Sequence, residues 1–269
     1  MVRLRRSRMA DSADRHFLYQ ESVQDTEAEI DFVEETWQDL RDRPAELLRE
    51  DFCGTANTAC EWVRRDSGHF AIGVDLDSEV LEWGRVNNLS ELHPEERSRI
   101  ALLEEDVLDT APELADIVLA MNFSYYLFLT RQRMLAYFES VHAGLADDGI
   151  FFLDAYGGYD SHRNIEEERE CDDFTYIWEQ DGFNPIDSTM TCHIHFEFPD
   201  KSRLDQAFSY SWRLWTLPEI REILFEAGFS EVTIYWEGTD EANNEGNGIY
   251  EPAETGDADP GWVCYIVAE

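Results

Sequence analysis

Leu47-Leu48-Arg49-Glu50-Asp51-Phe52-Cys53-Gly54-Thr55-Ala56 decides how the rest of the chain is read. It is a strand that ends in acid, turns on small residues and opens a helix at Asn57. Such a turn leaves free backbone N–H groups and the positive end of a helix beside whatever ligand sits there. In an open α/β sheet that place lies beyond the carboxyl ends of the strands, where nucleotide-like cofactors bind. Two further stretches repeat the pattern. Phe70 to Asp75 and Ile100 to Asp106 are apolar runs that also end in carboxylates. Acidic strand tips in succession call for a ligand rich in hydroxyl and amino donors, positively charged and free of phosphate.

S-adenosylmethionine meets that description and a dinucleotide does not. From Leu47 to Glu269 the chain resembles the class I S-adenosylmethionine-dependent methyltransferases, whose first motif is an acid followed by a Gly-x-Gly-x-Gly turn. Glu50 matches the acid, Phe52 stands at the first glycine, Gly54 at the second and Ala56 at the third. Asp75 matches the acid that holds the ribose hydroxyls, and Asp106-Val107 the pair that borders the adenine. The resemblance implies a Rossmann-like α/β fold, with a mostly parallel seven-stranded sheet, flanking helices and a small antiparallel lid insertion. It implies a cofactor site built from Glu50, Cys53, Gly54, Ala56, Asp75, Leu76, Asp106, Val107 and Asn122, with Tyr19 as a lid contact. The expected activity is methyl transfer to a small-molecule acceptor by in-line displacement. Two other readings compete. An NAD(P)-dependent oxidoreductase is disfavoured because Gly54-x-Ala56-x-x-Ala59 is a poor dinucleotide fingerprint and Glu50 and Asp51 would oppose a pyrophosphate. A binding protein that keeps the fold but has lost transfer is kept open by the departures at Phe52 and Ala56.

The bulk composition narrows the partners. The chain has 269 residues, 43% of them apolar, enough for the core of one sizeable α/β domain. Against 59 acids stand 21 bases, and Lys201 is the only lysine. A net charge of −38 repels phosphate backbones and anionic membranes, so neither is an expected partner. Abundant carboxylates with an intact apolar core fit a protein adapted to high salt, where screening removes the self-repulsion; a mesophilic acidic protein is the competing reading. The five cysteines form no Cys-x-x-Cys pair, as expected for reduced thiols in the cytoplasm. No apolar run is long enough to span a bilayer. The basic run Met1 to Arg8 is expected to be a disordered tail, with Met9 a candidate start.

Residues 1–24 then form a tail and lid segment, and residues 25–269 the methyltransferase domain, interrupted by the insertion at about 157–215. Asp25 to Arg43 has helical spacing, and Asn57 to Arg65 and Ser78 to Leu89 are the first crossover helices, the second capped by Asp77 or Ser78. Asp116 to Met121 and Ile150 to Asp154 are the fourth and fifth strands, with a helix over Arg131 to Leu145. Phe174 to Glu179, Thr189 to Phe198 and Leu204 to Trp215 read as two or three antiparallel strands. Pro218 to Ala227 is a helix stopped at Gly228, and Glu231 to Trp236 and Gly261 to Ala268 close the sheet. Gly238 to Pro260 reads as a long acidic loop.

The acceptor side is less defined. Asn122-Phe123-Ser124-Tyr125-Tyr126 follows the fourth strand, at the mouth where a methyl group would lie. It bears a distant similarity to the Asn-Pro-Pro-Tyr loop of other methyltransferases, but lacks both prolines. Tyr125, Tyr126, Tyr156, Trp212 and Arg213 are acceptor-pocket candidates, with His162 and Tyr210 beside them. His193 and His195, two residues apart, face one side of a strand. Together with Tyr156 they are the candidate catalytic groups, as general base or as lid surface. No third ligand has metal-site spacing, so no metal is expected.

Overall fold

A computed structural model describes residues 8–110, 114–240 and 245–269. Apart from Arg8, the basic N-terminal run therefore lies outside the described residues. The chain begins with a 3-10 turn (Met9–Ser12), α1 (Arg15–Val23) and α2 (Thr26–Leu40). The alternating unit follows as β1 (Leu47–Asp51), α3 (Asn57–Arg65), β2 (Phe70–Asp75), α4 (Ser78–Asn87), a short α5 (Pro94–Arg97) and β3 (Ile100–Glu104). β4 (Ala115–Ala120), α6 (Arg131–Ala143) and β5 (Leu145–Gly157) complete it. A second sheet then forms from β6 (Ile165–Glu170), β7 (Thr175–Asn184), β8 (Thr189–Glu197) and β9 (Arg203–Arg213). α7 (Leu217–Ala227), β10 (Val232–Asp240), β11 (Glu245–Pro252) and β12 (Trp262–Ala268) return to the first sheet.

The large sheet runs in the order β11-β10-β12-β5-β4-β1-β2-β3. Its five strands β3, β2, β1, β4 and β5 are parallel, and the other three are antiparallel additions. From β1 the chain order runs outward through β2 and β3 on one side and through β4 and β5 on the other. This reversal opens a crevice at the carboxyl ends of β1 and β4. Helices cover both faces, which is why β4 is buried along its whole length. On one face Ile30, Val33, Trp37 and Trp62 pack on Leu48, Ile117 and Phe152. On the other, Tyr137, Phe138, Ile220 and Leu224 pack on Val118, Phe151 and Ile266.

The lid sheet is tied in twice. Met190, Cys192 and Trp212 join the second core layer, and Phe174, Ile194 and Phe196 pack with Leu18 of α1. Local chemistry fixes the helix ends as expected: Asp77 caps α4 by accepting from Glu79 and Val80, and Gly228 ends α7 at φ 118°.

Two strands escaped the sequence. The sheet has eight strands rather than seven, because β11 lies inside the expected Gly238–Pro260 loop. Its Gly- and Asn-rich edge carries little strand signal, and its pairing to β10 supplies the order. The insertion likewise has four strands, since the edge strand β6 is Ile-Glu-Glu-Glu-Arg-Glu and largely exposed. Without an apolar alternation, only its ladder to β7 identifies it.

Candidate active site

The turn after β1 is left-handed at three alternate residues, with φ 58° at Phe52, 53° at Gly54 and 56° at Ala56. These are the three glycine positions of the motif, so the backbone keeps its path with one glycine left. Left-handed backbone costs a residue with a side chain about 1–2 kcal/mol. Packing offsets that cost: the Phe52 ring lies 5.5 Å from Tyr137 and 6.1 Å from Phe128, and Ala56 is fully buried. Gly84 lets α4 press on the turn, because a Cβ there would collide with the Thr55 carbonyl. Asn88 Nδ2 donates to the same oxygen at 2.9 Å.

This framework aims a set of carboxylates at the crevice. Asp75 accepts from the Gly54 N–H at 2.8 Å and the Asp77 N–H at 2.9 Å. Glu50 accepts from the Ala59 N–H in the first turn of α3 at 3.0 Å. Its burial raises the carboxyl to about 8 despite that bond. Glu29 of α2 reaches the same place, where the Thr58 hydroxyl donates to it at 3.3 Å. Burial first, then the nearby Asp154 and Glu50 charges, raise it also to about 8. Asp154, in β5 three residues before its end, accepts from the Asn122 N–H at 2.7 Å and the Phe123 N–H at 2.8 Å, and burial lifts it to about 7. Asn122 and Phe123 are themselves left-handed, at φ 57° and 54°, so Asp154 holds a strained loop in place. Asp51 is different: it pairs with Arg49 at 2.9 Å and receives the Tyr137 hydroxyl at 2.9 Å. Cys53 is buried, which pushes its thiol well up and makes it a neutral turn residue.

Two chambers open on this framework. The first, of about 760 Å³, is lined by Glu50, Cys53, Gly54, Asp75, Leu76, Asp106, Val107 and Asn122, and is roofed by Tyr19 and His16 of α1 and by Phe208 of β9. The second, of about 740 Å³, lies between the lid sheet and the strand tips, with Glu29, Asp154, Tyr156, Trp178 and Tyr265 among its walls. Tyr19, Asn122, Tyr210 and Trp212 line both, so the chambers adjoin there.

The fold matches solved structures across nearly its full length. An S-adenosylmethionine-dependent methyltransferase from Clostridium acetobutylicum superposes with TM-score 0.68 at 18% identity, covering 94% of this chain and 96% of that one. An amino pentose methyltransferase from Micromonospora echinaspora, solved with S-adenosylmethionine bound, gives 0.65 at 14%, with 94% and 96% covered. A sugar N-methyltransferase from Streptoalloteichus gives 0.63 at 15%, with 95% and 92% covered. This is the class I methyltransferase fold. No family model and no curated protein matches the sequence.

Within the methyltransferase fold, several expected site residues sit elsewhere. Ala56 does not line either chamber; it is buried at the N-cap of α3. Tyr125 and Tyr126 are core residues rather than pocket walls. The 3-10 turn Ser124–Leu127 tucks both inward, where they donate to the Asp154 carbonyl at 2.6 Å and the Tyr156 carbonyl at 3.2 Å. Arg213 turns away to Glu219 at 2.8 Å, with its guanidinium 3.7 Å from the centre of the Trp215 ring. His193 and His195 do share a strand face, but it is the face turned away from the chambers. There they are buried against Ser209 (2.8 Å) and Glu179 (2.9 Å), not exposed on a lid surface. His162 is exposed against Phe183. Tyr156 does line the second chamber, with its hydroxyl given to Gln180 at 2.9 Å. Tyr19 was expected as a lid contact and lines both chambers; Glu29, Asp154 and His16 were not anticipated. Asp154 carries the same acidic-tip signal as the first three strands; Glu29 carries none that is local.

Proposed function

We propose that this chain is an S-adenosylmethionine-dependent methyltransferase acting on a small-molecule acceptor by in-line displacement. The observation that carries this reading is the pair of adjoining chambers, one at the switch point of the sheet and one beneath the lid. The first chamber fits the cofactor on its own chemistry: Glu50 is buried and Asp75 half-buried, burial raises both, and neither has a cationic partner among the described residues, so a positively charged ligand relieves them. Asp75 would hold the ribose hydroxyls, Leu76 and Val107 would flank the adenine, and Asp106 would accept from its amino group. Glu50 would orient the turn toward the methionine amino group. When bound, the cofactor supplies an electrophilic methyl group. The protein's own part is then to align the acceptor and exclude water, which the α1 roof and the lid sheet are built to do.

The acceptor belongs in the second chamber, at the junction of Tyr19, Asn122, Tyr210 and Trp212. The similar structures named for amino pentose and sugar N-methyl transfer support a nitrogen acceptor on a small polar molecule. With it goes the domain reading, in which the body spans residues 25–269, the lid is inserted at about 157–215, and residues 8–24 close over the cofactor.

Titration calorimetry with S-adenosylmethionine, S-adenosylhomocysteine and NAD tests the cofactor. Binding of the first two and not the third is expected, and NAD binding alone would overturn the assignment. Release of S-adenosylhomocysteine in the presence of an acceptor separates an enzyme from a binding protein.

A further inference from the structure

The second chamber is unusual for its charge and its walls together. Asp25, Glu29, Asp154, Asp160, Glu167 and Glu168 line it, against the single guanidinium of Arg169. That guanidinium already lies over the Tyr176 ring, 5.1 Å from its centre. Between the rim and the floor the walls are aromatic: Tyr156, Trp178, Tyr210, Trp212 and Tyr265. Tyr210 and Trp212 stack at 4.5 Å, with Trp178 6.0 Å from Trp212. Aromatic faces around a carboxylate floor are the arrangement that recognises organic cations.

One floor group stands apart. Glu29 is only 8% exposed and one oxygen takes the Thr58 hydroxyl, but the other has no hydrogen-bond partner among the described residues. Asp154 has both oxygens committed to the Asn122 loop, and Glu50 belongs to the first chamber. The groups that face Glu29 are Asp25 at the N-cap of its own helix, Glu50 on β1, Asp154 on β5, and the Tyr19 and Tyr265 hydroxyls. None is a cation.

We propose that the second chamber selects a basic amine, bound through its positive charge by the aromatic walls, and that Glu29 is the specificity-determining residue that exchanges a proton with it. This rests on the second chamber being the acceptor site. The exchange balances as ammonium plus Glu29 carboxylate giving neutral amine plus Glu29 carboxylic acid, with no other reactant. The nitrogen lone pair is free only in the second arrangement, so the same residue that attracts the cation also holds its proton when the nitrogen must react. A burial-raised carboxyl suits that exchange, because its affinity for the proton approaches that of an amine.

The test uses choline and its neutral isostere 3,3-dimethylbutan-1-ol, titrated into the full chain both free and loaded with S-adenosylhomocysteine. Choline should bind at least about tenfold more tightly than the isostere. Glu29→Gln should shrink that preference to within about threefold while leaving S-adenosylhomocysteine affinity unchanged. Choline binding near neutral pH should also release protons to the buffer, seen as a heat that varies with buffer ionisation enthalpy, and Glu29→Gln should remove most of that release. Trp178→Leu supplies a second variant that spares the carboxylates; it should weaken choline and leave the isostere nearly unchanged. Equal binding of the two probes to the wild type, or no choline binding, would overturn the proposal. So would a Glu29→Gln variant that loses S-adenosylhomocysteine as much as choline, since Glu29 would then serve the cofactor. Failure of the wild type to bind S-adenosylhomocysteine would instead strike the cofactor reading, while the titrations of the free chain still decide this one.

Discussion

At the amino-terminal edge of the parallel strands, Asp116 and Asp148 share Arg43 at 2.7 and 2.6 Å, and Glu269 takes Arg41 at 2.7 Å. At the carboxyl edge, Glu50, Asp75 and Asp154, with Glu29 reaching in from α2, have no cationic partner among the described residues. They are held by backbone N–H groups and a threonine hydroxyl. Only Asp51 there has an arginine, Arg49. The pKa directions follow: the Arg43 hydrogen bond lowers Asp148, whereas burial raises all four of the others. With so few bases in the chain, where the arginines are placed separates acids neutralised by a cation from acids left without one.

The largest expected effect that would break this contrast is at Asp154. Asp154→Ala leaves two half-buried N–H groups without their acceptor in a loop whose residues are left-handed. Two charge-assisted bonds of about 1.5–3 kcal/mol each set the scale of the loss. Urea unfolding should show a drop of about 3–5 kcal/mol, together with impaired cofactor binding. A variant with wild-type stability would mean that this carboxylate does not organise the Asn122 loop.

Next in size is Asp75→Ala, expected to weaken S-adenosylmethionine by about 1.5–3 kcal/mol while the fold survives. The carboxylate is positioned by Gly54 and Asp77 but supports neither core layer. Unchanged affinity by calorimetry would remove Asp75 from the cofactor site.

How far the sequence reaches follows from which interactions are local. The acid, turn and helix sequence at Glu50, Gly54 and Asn57 is contiguous, so strand tip, turn and cap are readable together. The same holds for Asp75 with its capping neighbour Asp77. Glu29 was invisible because it arrives from a helix outside the alternating unit, by tertiary packing alone. For His193 and His195, spacing settles that they share a face; which face meets the body is decided by Met190, Cys192 and Ile194 packing inward. Arg213 is drawn off by Glu219, itself the reciprocal partner of the Thr216 cap. The fold was therefore more legible than the acceptor side, whose walls come from the register of an inserted sheet.

A smaller effect sharpens the comparison through pH. Glu29 and Glu50 sit at about 8 and Asp154 at about 7, all above their unfolded values. The folded state therefore holds more protons than the unfolded one between about pH 4 and pH 8. Its stability falls as pH rises through that window. Asp148, lowered by Arg43, contributes in the opposite sense: its stabilisation is present above the usual carboxylate range and fades as pH falls. In thermal melts the ligand-free protein should lose stability between about pH 6 and pH 8. S-adenosylmethionine, which carries the sulfonium charge, should restore more of it at the higher pH than S-adenosylhomocysteine does. A ligand-free melting temperature that rises across this range would contradict the unpaired state of these carboxylates.

The smallest effect is expected at the paired edge. Arg43→Ala removes the partner of Asp116 and Asp148, but the arginine side chain is 39% exposed and solvent screens what it contributes. Asp116 also keeps the Glu46 and Leu47 N–H groups at 2.7 and 3.0 Å, so it is not left bare. The loss should be no more than about 1 kcal/mol, with cofactor affinity unchanged. Salt then separates two contributions. In molar KCl the screening length shrinks to about 3 Å, so the Arg43 pair should count for less. The chain as a whole, at net charge −38, should melt higher because its self-repulsion is screened. The gap between wild type and variant should therefore narrow while both melting temperatures climb. If both fall instead, the acidic surface is not an adaptation to salt, and the contrast between the two edges of the sheet stands without it.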